Sequence, residues 1–342
     1  MFNHRRNNEV FTEKKPKIVN GYLFGDTIGE GSYSKVKEVL EVTTLVRRAV
    51  KIIKAARLRK IPNGRANVEQ ELRILHKVHH RNVISLRDVF RNGRKQKLYM
   101  VMEYAACSLQ QMLDGSKEKK LPIFQAHFFF TQLIDGLSYL HSQGVIHKDI
   151  KPGNLLVSLD GTLKISDFGV AELLDRYSKD DWCKIAQGTP KFQPPEIICW
   201  YGIFRGRKVD IWASGVTLYN LVSGEYPFEG DVIMRLFDNI ANQPLKMPQS
   251  VSVSKALESL LTAMLEKDPD KRLDMDGIRK STCSSTGGGE VSVENYSEPS
   301  SSKTHRLAAS DGSFPTKRND ESLSGLTETK RNRSMYFLCF PN

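Results

Sequence analysis

The sequence predicts an α+β protein with two lobes, a small strand-rich part followed by a larger, mainly helical part. Strand-like runs separated by turns come first along the chain, and longer segments with helical periodicity follow them. The 342 residues are 39% hydrophobic and 26% charged, which is enough apolar material for a substantial core. This balance argues against wholesale disorder.

The predicted elements follow from the spacing of apolar residues. Alternation and β-branched content predict strands over residues 24–40 (with turns), 48–53, 98–102 and 163–166. Helical periodicity predicts helices over 67–78 and, after Pro122, over 124–141. The segment 209–222 is apolar almost all the way round, which indicates a helix inside a core.

The two ends of the chain differ from this middle part. Residues 1–20 are polar and are predicted to form a flexible arm, and residues 21–281 form the folded domain. Residues 281–342 hold 19 Ser and Thr in 62 positions and show little apolar periodicity, so we predict a disordered tail over 282–342. The N-terminus lacks the apolar stretch of a secretory signal, and no uncharged run is long enough to span a membrane.

Charge and cysteine content limit further which classes of protein the sequence can belong to. The net charge is +12, and the run 47–60 holds seven basic residues and no acid. A solvated surface is the first interpretation of that run, and a patch for an acidic partner or a phosphate is the second. The five cysteines are scattered and odd in number, which argues against a disulfide framework or a zinc site and favours a reducing compartment.

A glycine turn and a lysine form the first candidate site. Gly29 and Gly31 follow a strand-like run, and paired glycines let a backbone approach a phosphate closely. Lys51 lies among β-branched residues, where an inward ammonium is costly unless it is paired. Glu71 falls on the apolar face of the predicted helix 67–78, so we predict that it pairs with Lys51.

Two later loops carry further polar groups. Asp149 and Asn154 bracket a proline and a glycine, and Asp149 can accept a hydroxyl proton while Asn154 offers an amide oxygen to a hard cation. Lys151 can steady a transferring phosphoryl group. Asp167 closes the strand 163–166 and can bind the same metal ion. The combination is far more specific than any one of its parts.

The order of these motifs resembles that of the eukaryotic protein kinases. The matching residues are Gly29 and Gly31, Ala49-Val50-Lys51, Glu71, His147-x-Asp149 with Asn154, Asp167-Phe168-Gly169 and Pro194-Pro195-Glu196. Lys151-Pro152-x-Asn154 and Gly188-Thr189-Pro190 are similar to the serine/threonine branch. Within that branch, 47–51, 61–64, 99–104, 147–154 and 192–197 resemble the liver kinase B group.

The resemblance implies a bilobal kinase fold, with an antiparallel N-terminal sheet and one regulatory helix, that binds ATP between its lobes. It implies catalytic roles for Asp149, Lys151, Lys51 and Glu71, and Mg²⁺ or Mn²⁺ ligands at Asn154 and Asp167. The adenine would meet the hinge backbone at Glu103 and Ala105. The full set of implied nucleotide contacts is Ile28, Gly29, Glu30, Gly31, Ser32, Tyr33, Ser34, Lys35, Val36, Ala49, Lys51, Met102, Glu103, Ala105 and Leu156. It further implies that Asp210 holds the catalytic loop and that Glu196 pairs with Arg272.

Resemblance also implies the biological role. The group phosphorylates activation loops of kinases that respond to energy stress or polarity, works in cytoplasm and nucleus, and is held active by a pseudokinase and an armadillo-like scaffold. Two rival hypotheses are a pseudokinase scaffold, which intact Lys51, Asp149, Asn154 and Asp167 disfavour, and a nucleic-acid-binding module. The basic run has no interleaved aromatic residues, so no nucleic-acid partner is predicted.

Departures from the kinase pattern raise four further expectations. Ser34 replaces the third glycine of the glycine loop. Lys148 replaces an arginine that grips an activation-loop phosphate, which argues against activation by loop phosphorylation. Thr189 is either a structural hydroxyl or a phosphorylation site. The region after Arg272 runs into Ser/Thr-rich sequence, so a shortened C-terminal lobe is expected.

The tail carries two candidate regulatory residues. Ser334 follows Arg331 and Arg333, a pattern suited to a basophilic kinase. Cys339 has the position of a prenylated cysteine, although Pro341 and Asn342 depart from the preferred ending. Membrane association is expected only if Cys339 carries a lipid.

Overall fold

A computed structural model describes residues 16–31, 34–174, 180–199, 202–249 and 251–284, with side chains described to residue 282. The strands of this part are β1 (Lys17–Val19), β2 (Tyr22–Glu30), β3 (Ser34–Glu41), β4 (Arg47–Lys54), β5 (Leu86–Asn92), β6 (Lys97–Glu103), β7 (Cys107–Ser108), β8 (Val145–Ile146), β9 (Leu155–Val157), β10 (Leu163–Ile165), β11 (Glu172–Leu173), β12 (Trp182–Cys183) and β13 (Phe204–Arg205).

The helices lie between the strands in the first part of the chain and follow one another after β13. They are α1 (Ala55–Leu58), α2 (Gly64–Lys77), α3 (Leu109–Gly115), α4 (Ile123–Ser142), α5 (Pro195–Ile198), α6 (Gly206–Ser223), α7 (Ile233–Asn242), α8 (Lys255–Met264) and α9 (Met275–Ser284). Short 3-10 turns cover Pro152–Asn154 and Pro190–Phe192. Among the described residues, no helix combines the length and apolar content needed to cross a bilayer.

The N-terminal lobe is a six-stranded antiparallel sheet in the order β1-β2-β3-β4-β6-β5. Strand β4 lies inside the sheet, and three successive residues, Ala49, Val50 and Lys51, are buried because both of its faces are covered. Val50 packs in a cluster with Tyr99 on one face. The other face meets α2, so the predicted small sheet with one helix is confirmed.

Helix α2 begins three residues earlier than the predicted start at 67. Asn63, which precedes it, has φ 56°, and the Gly64 amide donates to the Ile61 carbonyl at 3.0 Å. A Cβ on Gly64 would lie 2.7 Å from the Leu58 carbonyl oxygen, so only glycine allows this entry into the helix. The apolar pattern could not indicate this start, because the turn is set by a backbone contact.

The C-terminal lobe is built around α4 and α6. Helix α6 is buried along almost its whole length, as its apolar circumference predicts, and Trp212 lies at its centre with no exposed surface. The small sheet β10-β9-β7 and the pair β11-β8 carry the loops that face the N-terminal lobe. A further helix, α9, follows Arg272 and buries Ile278 completely.

Candidate active site

Lys51 lies on the sheet of the N-terminal lobe, and Glu71 lies on the helix that packs against this sheet. Strand β4 presents Lys51, α2 presents Glu71, and the Lys51 Nζ lies 2.6 Å from Glu71 Oε1. The side chains are only 9% and 2% exposed. Burial raises the pKa of Glu71, and the neighbouring Lys51 ammonium opposes that rise. The predicted contact is present, and it compensates two charges that would otherwise be costly to bury.

Asp167, which belongs to the C-terminal lobe, contacts the same Lys51 ammonium. Its Oδ1 lies 3.1 Å from Lys51 Nζ, and half of its side chain remains exposed. The Lys51 ammonium holds the pKa of the Asp167 carboxyl below its usual range. Asp167 has φ 64°, a left-handed conformation that costs energy in a residue with a Cβ. The surrounding contacts, including the fully buried Phe168, hold that conformation in place.

Asp149 is the centre of a second cluster. Its Oδ2 accepts hydrogen bonds from Lys151 Nζ at 2.7 Å and from Asn154 Nδ2 at 2.8 Å. Its Oδ1 accepts from the Thr189 amide at 3.0 Å and from the Thr189 hydroxyl at 2.7 Å. Lys151 also donates to the Thr189 Oγ1 at 2.6 Å. The Thr189 hydroxyl therefore makes structural contacts with Asp149 and Lys151, and its phosphorylation stays a prediction.

Asp210 anchors the loop that carries Asp149. This fully buried carboxylate, on the first turns of α6, accepts the backbone amides of His147 at 2.9 Å and Lys148 at 2.7 Å. His141 Nε2 lies 2.8 Å from the same carboxylate. Sequence reasoning missed His141; its only signal is a polar residue on the buried side of α4, which is common and weak.

Lys148 occupies the place where the kinase pattern has arginine. Its side chain is 2% exposed, with Nζ 2.9 Å from Glu172 Oε2 and 3.2 Å from the Ile185 carbonyl oxygen. The ammonium is therefore neutralised by a carboxylate of β11. Glu172 was also missed, because no local pattern joins it to a residue 24 positions earlier.

The glycine turn connects β2 to β3, and β3 pairs with β4. Gly29 pairs with Val36, and Val36 pairs with Lys51 on the adjacent strand. The Gly31 amide donates to the Ser34 carbonyl at 3.0 Å, so the turn closes without a third glycine. Ile28 is exposed, and Lys35 forms an ion pair with Glu30 at 2.7 Å. Ser32 and Tyr33 lie outside the described residues.

The predicted hinge follows β6. Met102 pairs with Ala49 across the sheet, and Ala105 comes two residues after the strand ends. The Glu103 carboxylate accepts the Ser85 amide at 2.8 Å and lies 2.9 Å from Lys164 Nζ. That brace between the lobes was not predicted. Leu156 on β9 is half-buried, and Ser334 and Cys339 lie outside the described residues.

The oxygen donors suit a hard cation bound together with a nucleotide. Asn154 is fixed through its amide nitrogen, which donates to Asp149, so its amide oxygen is oriented away from that contact. Asp167 adds a half-exposed carboxylate. Magnesium commonly takes one or two such protein oxygens together with phosphates and water. Over the described residues, no group of three or more His, Cys, Asp or Glu side chains forms a metal site.

The fold and these clusters define a kinase-type phosphotransfer site. The protein kinase domain model matches residues 22–282, and the chain belongs to that family. The predicted fold and the predicted resemblance to the serine/threonine branch are confirmed.

Relatives within the family are close. The chain is 57% identical over 267 residues to the serine/threonine-protein kinase stk11 of Xenopus laevis, covering 78% of this chain and 61% of that protein. It is 56% identical to STK11 of Homo sapiens with the same coverage. STK11 is the liver kinase B of the sequence resemblance, which is therefore confirmed.

A more distant relative is also a serine/threonine-protein kinase. The serine/threonine-protein kinase par-4 of Caenorhabditis elegans is 52% identical over 274 residues, which cover 79% of this chain and 44% of that protein. The chain thus spans about 60% of the length of the STK11 proteins it matches, and less of par-4.

Proposed function

We propose that the protein is a serine/threonine kinase that transfers the γ-phosphoryl group of ATP to Ser or Thr hydroxyls of protein substrates. The observation that carries this proposal is the Lys51 ammonium, which lies between Glu71 at 2.6 Å and Asp167 at 3.1 Å. One partner belongs to the N-terminal lobe and the other to a loop of the C-terminal lobe. The bridge requires the two lobes to lie against each other, and phosphoryl transfer in protein kinases needs both of these acids in place.

Each residue has a positioning task in this proposal. ATP supplies the phosphoryl group, and Mg²⁺ or Mn²⁺ neutralises phosphate charge. Asn154 and Asp167 would hold the metal ion, and Lys51 would orient the α- and β-phosphates while Glu71 restrains it. The glycine turn before β3 and the hinge at Glu103 would cover and align the nucleotide. Phosphoryl transfer depends on this positioning and on charge neutralisation more than on covalent catalysis.

Asp149 would orient the substrate hydroxyl and accept its proton. Its two carboxylate oxygens are held by Lys151, Asn154 and Thr189 in the absence of substrate, so its orientation is fixed beforehand. A positioned base contributes about 10²–10⁴-fold to the rate, or roughly 3–5 kcal/mol. The Lys151 ammonium, which contacts Asp149 in the structure, would shift to contact the transferring phosphoryl group. A cation there would neutralise part of the phosphoryl charge.

The substrates and partners are proposed from the sequence resemblance to the liver kinase B group. We infer that the protein acts as an upstream kinase on activation loops of other kinases, that it works in cytoplasm and nucleus, and that a pseudokinase and an armadillo-like scaffold hold it active. The Lys148–Glu172 pair supports activation without a loop phosphate, because the cation that would bind the phosphate is already neutralised. Phosphorylation of Ser334 and lipidation of Cys339 remain proposals for regulation.

A peptide-kinase assay with and without added pseudokinase and scaffold tests the proposal. We expect phosphate transfer from ATP to an activation-loop peptide, and loss of that transfer in Asp149→Asn, which keeps the size of the side chain. Failure of the unaltered protein to transfer phosphate even with both partners present would favour the scaffold hypothesis. If a separate binding measurement then showed that the protein binds ATP, the result would indicate a pseudokinase that binds ATP without transferring phosphate.

A further inference from the structure

The basic run 47–60 divides in the structure into two groups. Three of its seven cations are bound to acids, in the pairs Arg47–Glu38, Arg48–Glu41 and Lys51–Glu71. The others lie at the end of β4, in α1 and just beyond it. Within the described part of the chain, none of these four forms an ion pair. These four cations are the part of the run whose charge is not balanced by a bound acid of the described residues.

A second basic segment lies beside this remainder. The turn between β5 and β6 carries Lys95, and its Gln96 carbonyl accepts the Ala55 amide at 3.0 Å, which fixes the turn against the start of α1. Lys54 and Lys97 are directly paired residues of β4 and β6. Side chains of directly paired residues project from the same face of a sheet, so two ammonium groups are neighbours there.

Lys97 lies among like charges. It is half-buried, and its pKa is lowered first by that burial and then by Lys54, Lys17 and Lys95. Like charges placed opposite each other in a sheet destabilise it. The cluster therefore carries an electrostatic cost that a bound anion would remove.

We call this cluster the basic surface and define it by Lys17, Lys54, Arg57, Arg59, Lys95 and Lys97. No ion pair with any of the six exists among the residues that the structure describes. Glu30 is one acid near the cluster: Lys35 is the main cause that lowers its pKa, and Arg57 contributes less. Glu30 is already bound to Lys35 at 2.7 Å, so the basic surface keeps its excess of positive charge.

We propose that the basic surface is a docking site for an acidic segment of a partner protein, rich in Asp and Glu. Six cations from β1, β4, α1 and the residue after it, the β5–β6 turn and β6 form a broad site. Such a site suits an extended chain with several carboxylates better than a single small anion. Complementary charge of this kind speeds encounter and selects the partner. The proposal stands apart from phosphoryl transfer, because none of the six residues contributes to the active site described above.

The neighbouring side chains favour a polypeptide over a membrane or a nucleic acid. Proteins that lie on membranes add exposed apolar side chains to their cations. Here Leu58, Leu98 and Phe24 are packed against the core clusters, and Ile18 is the exposed exception. Single-stranded nucleic acids stack on exposed aromatic rings, but the Phe24 ring is half-buried against Tyr99 and lies under the Lys17 ammonium at 5.1 Å.

A binding experiment on the full chain tests the docking site. The probe is a labelled peptide of alternating Glu and Asp, about twelve residues long, and its amide counterpart of Gln and Asn is the control. The variant is Arg57→Gln, Lys95→Gln and Lys97→Gln together. The matched control is Arg81→Gln, Lys246→Gln and Lys255→Gln, three exposed cations elsewhere on the protein with the same total change in charge.

We expect the unaltered protein to bind the acidic peptide, with affinity that falls as salt rises from about 50 to about 300 mM. The surface variant should bind at least about tenfold more weakly, and the control variant within about twofold. The surface variant should unfold at the same temperature as the unaltered protein or a higher one, because like charges are removed.

Three outcomes would overturn the proposal. One is no binding of the acidic peptide at low salt. Another is an equal loss in both triple variants, which would mean that net charge alone is responsible. The third is tighter binding of phosphatidylserine-containing vesicles or of single-stranded RNA than of the peptide, lost in the same surface variant, which would assign the surface to a membrane or a nucleic acid.

Discussion

At the scale of single residues, the proposed chemistry depends on one ammonium held between two carboxylates. Glu71 and Asp167 both contact Lys51, but only Asp167 is substantially exposed. The two acids therefore differ in task. Glu71 restrains the lysine inside the protein, and Asp167 faces the space where a nucleotide and its metal ion would bind.

Asp167→Ala should abolish phosphoryl transfer and leave the protein folded. The carboxylate would be lost as a metal ligand, while the half-exposed side chain contributes little to packing. Peptide phosphorylation and thermal unfolding measure the two effects. Asp114→Ala, an exposed aspartate on α3, is the control and should keep full activity; normal turnover by the Asp167 variant would contradict the metal role.

Glu71→Ala should lower kcat/KM by about 10²-fold, because Lys51 would lose its restraint and the phosphates their alignment. Glu69→Ala removes an exposed glutamate from the same helix, where it pairs with Arg65 at 3.0 Å, and should change activity little. Steady-state kinetics with varied ATP measures both. An unchanged rate and unchanged ATP affinity in the Glu71 variant would remove the pair from the mechanism.

At the scale of elements, the buried Arg272–Glu196 ion pair joins several parts of the C-terminal lobe. Arg272 donates to both carboxylate oxygens of Glu196 at 2.6 and 2.9 Å, and its guanidinium lies 5.0 Å from the Trp212 ring. It also donates to backbone carbonyls of Lys208 and Glu266. One side chain therefore joins α5, the start of α6 and the turn after α8.

Arg272→Met should lower the free energy of unfolding by about 3–5 kcal/mol, since it leaves Glu196 buried without its cation. Arg279→Met removes an exposed pair with Asp135 at 3.5 Å and should cost at most about 1 kcal/mol. Urea unfolding of the two variants measures the difference. Equal, small losses in both would mean that water reaches and solvates Glu196.

At the scale of the whole molecule, the site exists only where two lobes meet. Lys51 and Asp167 are separated by 116 positions along the chain, and the Glu103–Lys164 pair joins the lobes a second time. A ligand that contacts both sides should therefore stabilise the folded state as a unit.

ATP with Mg²⁺ should raise the unfolding temperature of the full chain. At a ligand concentration about 100 times its Kd, binding contributes about 2.7 kcal/mol to the free energy of unfolding. Lys51→Met should weaken this stabilisation strongly, and ATP with EDTA should give a smaller shift than ATP with Mg²⁺. Identical melting curves with and without ATP would contradict nucleotide binding between the lobes.

Much of the fold and many of the site residues followed from local patterns. The three-residue spacing from Val68 placed Glu71 on the apolar face of α2, and the apolar circumference of 209–222 placed α6 in the core. Patterns of this kind are local, since they depend only on which face of one element a side chain occupies. The start of α2 at Gly64 was missed because it depends on a contact with a preceding turn.

The sequence alone determined which chemical groups are present, their order along the chain and the elements that carry them. Only the tertiary structure decided which partner each group meets: Asp167 for Lys51, Glu172 for Lys148 and His141 for Asp210. It also placed the six cations of the basic surface together, where no acid of the described ranges forms an ion pair with them. The physical reason is that charge pairing acts over a few ångströms, and residues far apart in sequence reach that distance only through the packing of whole elements.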